Sequence, residues 1–184
     1  MRITTRTKRD LTQEETRALS HYGADSTFLH SVAQGRERDL ERDPLWNEFW
    51  PECGAIIQAL DSAISVSELQ QDAVLYSAHG NGFAVRGSIL CPPAAYLGTI
   101  YKYPGYISTT SEAEFRDRFL QPRRTSNSRP AILEFHLPAG FPAIDMHLGG
   151  HAGEFEYLLG RDTPYRITKA DIQDGDVLNL VLVP

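Results

Sequence analysis

"GEFEYLLGRDTPYRI", residues 153–167, sets two glutamates, Glu154 and Glu156, one residue apart at the head of an apolar run. Side chains alternate across a strand, so a strand here puts both carboxylates on one face and Phe155 and Tyr157 on the other. Like charges held side by side on one face repel, which costs stability. A functional site can have a use for that arrangement, and a solvated strand edge is the bland alternative. The rest of the chain decides between them.

The chain has 184 residues, 41% hydrophobic and 23% charged, enough for one domain that buries a core without staples. A net charge of −6 argues against a nucleic-acid backbone or an anionic membrane as partner. No run of eighteen apolar residues predicts a membrane-spanning helix. "MRITTRTKRDLTQEE" is basic but has no apolar h-region, so a Sec signal is not expected there. Cys53 and Cys91 lack partners at metal spacing and read as reduced, partly buried thiols.

Helix signals fill the first third. "LTQEETRALSHY" has Thr12 at an N-cap position and Glu15 three residues later, a capping box. "CGAIIQALDSAIS" repeats apolar residues at helical spacing, from Ala55 to Ile64. The charged and aromatic stretch between them reads as a connection with short helical pieces. After Asp72 come the short β-prone runs "AVLYS", "GFAVRGSI", "GYIST", "AILEFHL", "EFEYLLG", "PYRIT" and "VLNLVLV", separated by Gly, Pro, Asn and Asp. "SEAEFRDRFLQ" predicts a helix capped by Ser111. We expect one α+β domain over 1–184, mainly helical over 1–71 and mainly strand over 72–184, with two small packed antiparallel-rich sheets.

The order of the polar pieces carries more. "QDAVLYSAHG" precedes "YISTTS" by about thirty residues, and "GEFEYLL" follows about fifty later. A strand with a Tyr and a polar end, an aromatic-apolar-Ser-Thr-Thr strand and a Glu-x-Glu strand together resemble the arginine-type mono-ADP-ribosyltransferases of toxins and effectors. The signature of that family is Arg, Ser-Thr-Ser, Glu-x-Glu. "LTQEETRALSHYGADS" is similar to its first helix and "ALDSAISVSELQQDAVLY" to the helix leading into its first motif strand. "LGGHAGEFEYLLGRDTPYRITKA" is similar to its turn, catalytic strand and following strand. The resemblance spans most of the chain and is weakest over residues 30–52.

The resemblance implies a cleft that takes NAD as substrate, and a protein side chain as acceptor of ADP-ribose. It assigns Glu156 to the ribose, Ser108 to orienting Glu156, and Thr109 and Thr110 to the same polar edge. Glu154 falls on the turn that meets the acceptor. The chemistry fits: breaking the nicotinamide–ribose bond develops positive charge on the ribose, which a carboxylate stabilises. An arginine acceptor stays protonated in solution and needs a carboxylate to bind it and draw charge off. One glutamate then serves the donor and the other the acceptor. A Glu rather than a Gln at 154 favours arginine.

The first motif departs from the family. Where Tyr-Arg-Gly is usual, the chain reads Tyr76-Ser77-Ala78-His79-Gly80. His79 beside Gly80 is one substitute, as in the His-type branch of the superfamily. Arg86 of "FAVRGSI", 22 residues before Ser108, is another. The third alternative is a degenerate pocket that binds an arginine-bearing peptide or partner without NAD chemistry. His136, His147 and His151 with Asp145 lack tight ligand spacing, so no metal is expected; they are placed with the turn before the catalytic strand. No Walker motif or Gly-x-Ser-x-Gly elbow occurs. A secreted effector acting in a target-cell cytoplasm without a Sec signal, or a cytoplasmic enzyme, is the expected setting.

Overall fold

The capping box forms as its spacing predicts. In the computed structural model the Glu15 amide donates to the Thr12 hydroxyl at 3.2 Å, and the Thr12 amide donates back to the Glu15 carboxylate at 2.8 Å. Two of the helix's orphan donors are thereby satisfied, and α1 runs over Gln13–Ala24. The structure describes residues 3–24, 29, 32, 46–79, 92–114, 130–150, 155–173 and 177–184. Glu154, Gly80, Arg86, Cys91, His151, the "GFAVRGSI" strand and most of the helix expected after Ser111 lie outside them, as does the side chain of His79.

The second described helix, α2, runs over Trp46–Ser65 and starts nine residues before the apolar repeat at Ala55. Pro51 removes one N–H from its ladder, which hides the first turns from pattern reading. At its C-terminus the hydroxyls of Ser65 and Ser67 donate to the carbonyls of Ser62 and Ala63, which supplies partners that a helix end otherwise lacks. No described helix is long and apolar enough to cross a membrane.

Ten described strands follow the chain as β1 (Thr5–Thr7), β2 (Ser67–Leu69), β3 (Ala73–His79), β4 (Ile100–Lys102), β5 (Ile107–Thr110), β6 (Ala131–Leu137), β7 (Ala143–Asp145), β8 (Glu156–Leu159), β9 (Pro164–Gln173) and β10 (Val177–Val183). β1 and β2 form a two-stranded ribbon inside the mainly helical part. The other eight are ordered β4-β9-β10-β6-β3-β5-β8-β7, antiparallel except for the parallel β6–β10 pair. β3 shares seven register pairs with β6 but only Tyr76↔Thr110 with β5. This single pair is a seam between a five-stranded and a three-stranded part.

The two parts enclose one core. Ile107, Ala143, Tyr157 and Leu159 of the three-stranded part pack with Leu75, Phe135, Tyr165, Ile167 and Leu180 of the five-stranded part. The expected pair of packed sheets thus exists as two halves of one hydrogen-bonded order. A second core lies on the other face of β7 and β8, where Ile144, Met146 and Leu158 meet Leu19 and Tyr22 of α1 and Ile57, Leu60 and Ile64 of α2. Side chains buried this fully each contribute about 1.5–3 kcal/mol of transfer free energy. The three-stranded part is therefore sandwiched, which fixes the strands that bear the motif residues.

Candidate functional site

β5 and β8 pair antiparallel in the register Ile107↔Leu159, Ser108↔Leu158, Thr109↔Tyr157 and Thr110↔Glu156. Directly paired residues share a face, so Ser108, Thr110, Glu156 and Leu158 stand on one side of the sheet, and the Tyr76↔Thr110 pair brings Tyr76 to the same side. The exposed Ser108 hydroxyl donates to the carboxylate of the half-buried Glu156. Tyr76, Ser108 and Glu156, separated by up to eighty positions, are thus gathered on one face.

Thr109 is a correction to the expected polar edge. Its side chain turns to the opposite face, where it is 3% exposed and donates its hydroxyl to the Tyr157 carbonyl at 2.7 Å. Alternation along a four-residue strand requires this: if Ser108 is presented, Thr109 is not. Thr110 keeps the Ser108 face but is buried, and its hydroxyl accepts from the Glu112 amide at 3.1 Å. The Ser111 hydroxyl, expected to cap the following helix, is buried without a hydrogen-bond partner among the described residues.

The paired-carboxylate reading rests on Glu154, which lies outside the described residues. β8 begins at Glu156, and Phe155 has φ +46, a left-handed conformation that bulky residues seldom adopt. The described strand starts at Glu156, so its alternation is set from there onward. Phe155, on the core side by simple alternation, is instead 39% exposed. Strain of this kind, roughly 1–3 kcal/mol, persists where surrounding structure imposes it, and it collects at functional sites.

The scaffold behind the pair is tightly held. Tyr157, wholly buried, donates its hydroxyl to the Ile3 carbonyl at 2.8 Å and accepts from the Ile3 amide at 3.0 Å. Before β8, a short 3-10 helix at Met146–Gly149 is capped by Asp145, which accepts from the His147 amide at 2.9 Å. A Cβ at Gly149 would lie 2.7 Å from that of Leu19, so glycine there permits the close approach of α1. His136 does not join this turn: it lies on β6, its Nε2 2.6 Å from Glu134. Among the described residues no three His, Cys, Asp or Glu side chains converge as metal ligands.

Tyr22 was not singled out by sequence, because with Ala18 and Leu19 it reads as an ordinary buried helix face. It packs edge-on to Tyr106 with ring centroids 5.8 Å apart. Burial pushes its phenol well above the usual range, and the nearby charge of Glu156 pushes it further. Tyr22 therefore stays a neutral phenol beside the carboxylate.

The family model for ADP-ribosyltransferase exoenzymes matches residues 1–183. Among solved structures, the ADP-ribosyltransferase Vis in complex with agmatine is 16% identical, with TM-score 0.67 over 96% of this chain and 76% of that one; Vis is a toxin of Vibrio splendidus. The Clostridium limosum C3 exoenzyme is 18% identical, with TM-score 0.67 over 96% of this chain and 87% of that one. Plx2a, an ADP-ribosyltransferase toxin from Paenibacillus larvae, is 21% identical, with TM-score 0.62 over 94% of this chain and 85% of that one. At these identities the likeness is one of fold. A search of the curated proteins finds no match. With the family model spanning nearly every residue, and the serine and glutamate of its second and third motifs joined on one sheet face, the chain belongs to the ADP-ribosyltransferase exoenzyme family.

Proposed function

We propose that this protein is a mono-ADP-ribosyltransferase that moves ADP-ribose from NAD to a protein side chain, with arginine as the favoured acceptor. The observation that carries the reading is the bond from the Ser108 hydroxyl to the Glu156 carboxylate. A carboxylate held in place by a neighbouring strand is preorganised to face positive charge that develops only in the transition state. As the nicotinamide–ribose bond breaks, its electron pair leaves with the nicotinamide, and Glu156 stabilises the ribosyl cation. The acceptor nitrogen then forms the new bond to that carbon. Glu154, one residue before the left-handed Phe155, binds the guanidinium and takes its proton. The agmatine bound to Vis, a guanidino compound, is in keeping with this acceptor class.

A second reading keeps the same cleft as a binding surface without NAD chemistry. It is favoured by one observation: the first motif strand reads Tyr76-Ser77-Ala78-His79, with no arginine. Release of nicotinamide from NAD by the purified protein separates the two. Turnover dependent on Glu156 supports the enzyme; none at high protein and NAD concentrations leaves the binding module.

A further inference from the structure

Asp61 of α2 lies at the far end of the β5–β8 pair from Glu156, and it holds both strands. Tyr106, the residue before β5, places its hydroxyl 2.8 Å from Asp61 Oδ1 and 2.9 Å from the Ile57 carbonyl oxygen. Arg161, two residues after β8, donates from Nε to both carboxylate oxygens at 3.1 Å and from Nη2 to Oδ2 at 2.7 Å. The turn that bears Arg161 is tied to the same connection by the Asp162 amide, which donates to the Tyr103 carbonyl at 2.8 Å.

These contacts are additional to the packing of α2, whose apolar face buries Ile57, Leu60 and Ile64. They matter for register. The β5–β8 ladder has four register pairs, and a one-residue slip would turn Ser108 and Glu156 to the wrong faces. Beyond the ladder's catalytic end the bond from the Ser111 amide to the Phe155 carbonyl is long, at 3.4 Å. At the other end a charge-assisted, two-pronged Arg161–Asp61 pair and the buried Tyr106 hydroxyl meet one carboxylate.

We infer that Asp61 is a positioning residue: by accepting from Tyr106 and Arg161 it sets β5 against β8, and so holds the Ser108 hydroxyl on Glu156. This rests on the catalytic reading above and adds a residue to it. A double-mutant cycle on nicotinamide release tests it, using Asp61→Asn, Ser108→Ala and the double variant, with thermal unfolding followed in parallel. Asp61→Asn should lower kcat by roughly tenfold to a hundredfold, the range a misplaced catalytic group produces, and leave the KM for NAD within about twofold. In the Ser108→Ala background the same change should cost less than about threefold, because the bond it positions is already gone. Equal losses in both backgrounds, or a loss that falls on KM alone, would overturn the inference while the catalytic reading stands. No release by the wild-type protein would overturn both. Should Asp61→Asn not fold, Arg161→Gln enters the same cycle, since it removes the two-pronged pair and leaves the Tyr106 contact.

Discussion

Ser108 on β5 donates its hydroxyl hydrogen to Glu156 on β8, although the two are not register partners: Ser108 faces Leu158 and Glu156 faces Thr110. The bond runs diagonally between same-face positions, a reach that hydroxyl and carboxylate side chains span across a sheet. A small shift of either strand would break it. The pair therefore reports on both the chemistry and the scaffold that holds it.

Glu156→Gln keeps the shape and removes the charge, and should lower nicotinamide release at least about a hundredfold, as for other lost electrostatic stabilisers. Ser108→Ala removes one hydrogen bond to a charged group and should cost about tenfold to a hundredfold. Both variants should unfold near the wild-type temperature, since neither side chain belongs to a core. Near-wild-type turnover by Glu156→Gln would sink the catalytic assignment.

Glu154→Gln should separate transfer from hydrolysis. Water needs no charge drawn off, whereas a guanidinium does, so transfer to agmatine should vanish while some NAD hydrolysis survives. Parallel assays of the two activities decide it; equal loss of both would remove the support for arginine as acceptor.

On the NAD-dependent reading proposed above, either His79 or Arg86 is expected to serve the NAD pyrophosphate. A charge-assisted bond of this kind contributes about 1.5–3 kcal/mol, so alanine at the responsible position should weaken NAD binding roughly tenfold to a hundredfold and alanine at the other should do little. A guanidinium stays charged throughout, whereas an imidazole loses its proton as pH rises through about 6.5. Binding that weakens between about pH 6 and 8 therefore identifies His79, and pH-independent binding identifies Arg86. Calorimetric titration at two pH values reads the difference, and no binding by the wild type would favour the partner-binding module.

Strong acid should weaken the contacts that hold the start of α1. Glu15 titrates at about 2 instead of 4.5, held down chiefly by its bonds from Arg9, with burial opposing and Ser62 and Thr12 assisting. Its folded-state value is depressed, so its contribution is full above about pH 4.5 and is lost as pH falls towards 2. Because Arg9 is exposed to solvent, which screens the pair, that contribution is only about 1–2 kcal/mol. In Glu15→Gln the fall in melting temperature over this window should be visibly shallower than in the wild type; identical slopes would show that other carboxylates dominate.

Much of this architecture is legible in local spacing. The capping box at Thr12 and Glu15 and the longer β-prone runs depend on residues a few positions apart, and so does the family likeness carried by "YISTTS" and "GEFEYLL". They can be read before any contact is known. β1, β2, β4 and β7 each have three residues, too few to display a period, and they become strands only because a neighbour pairs with them. Phe155 lies within an alternating pattern, yet its left-handed φ ends the strand between the two glutamates. No pattern of apolar and polar letters encodes that reversal. Which of Ser108 and Thr109 faces the site depends on the register of β5 against β8. Asp61, in a helix, reads as a solvated position; its partners stand 45 and 100 positions away and meet it only once the sheet has packed on α2. Local periodicity determines which segments are helix or strand. Register, side-chain facing and long-range hydrogen bonds are decided by burial, because only packing sets which of several locally equivalent arrangements leaves the fewest polar groups unpaired.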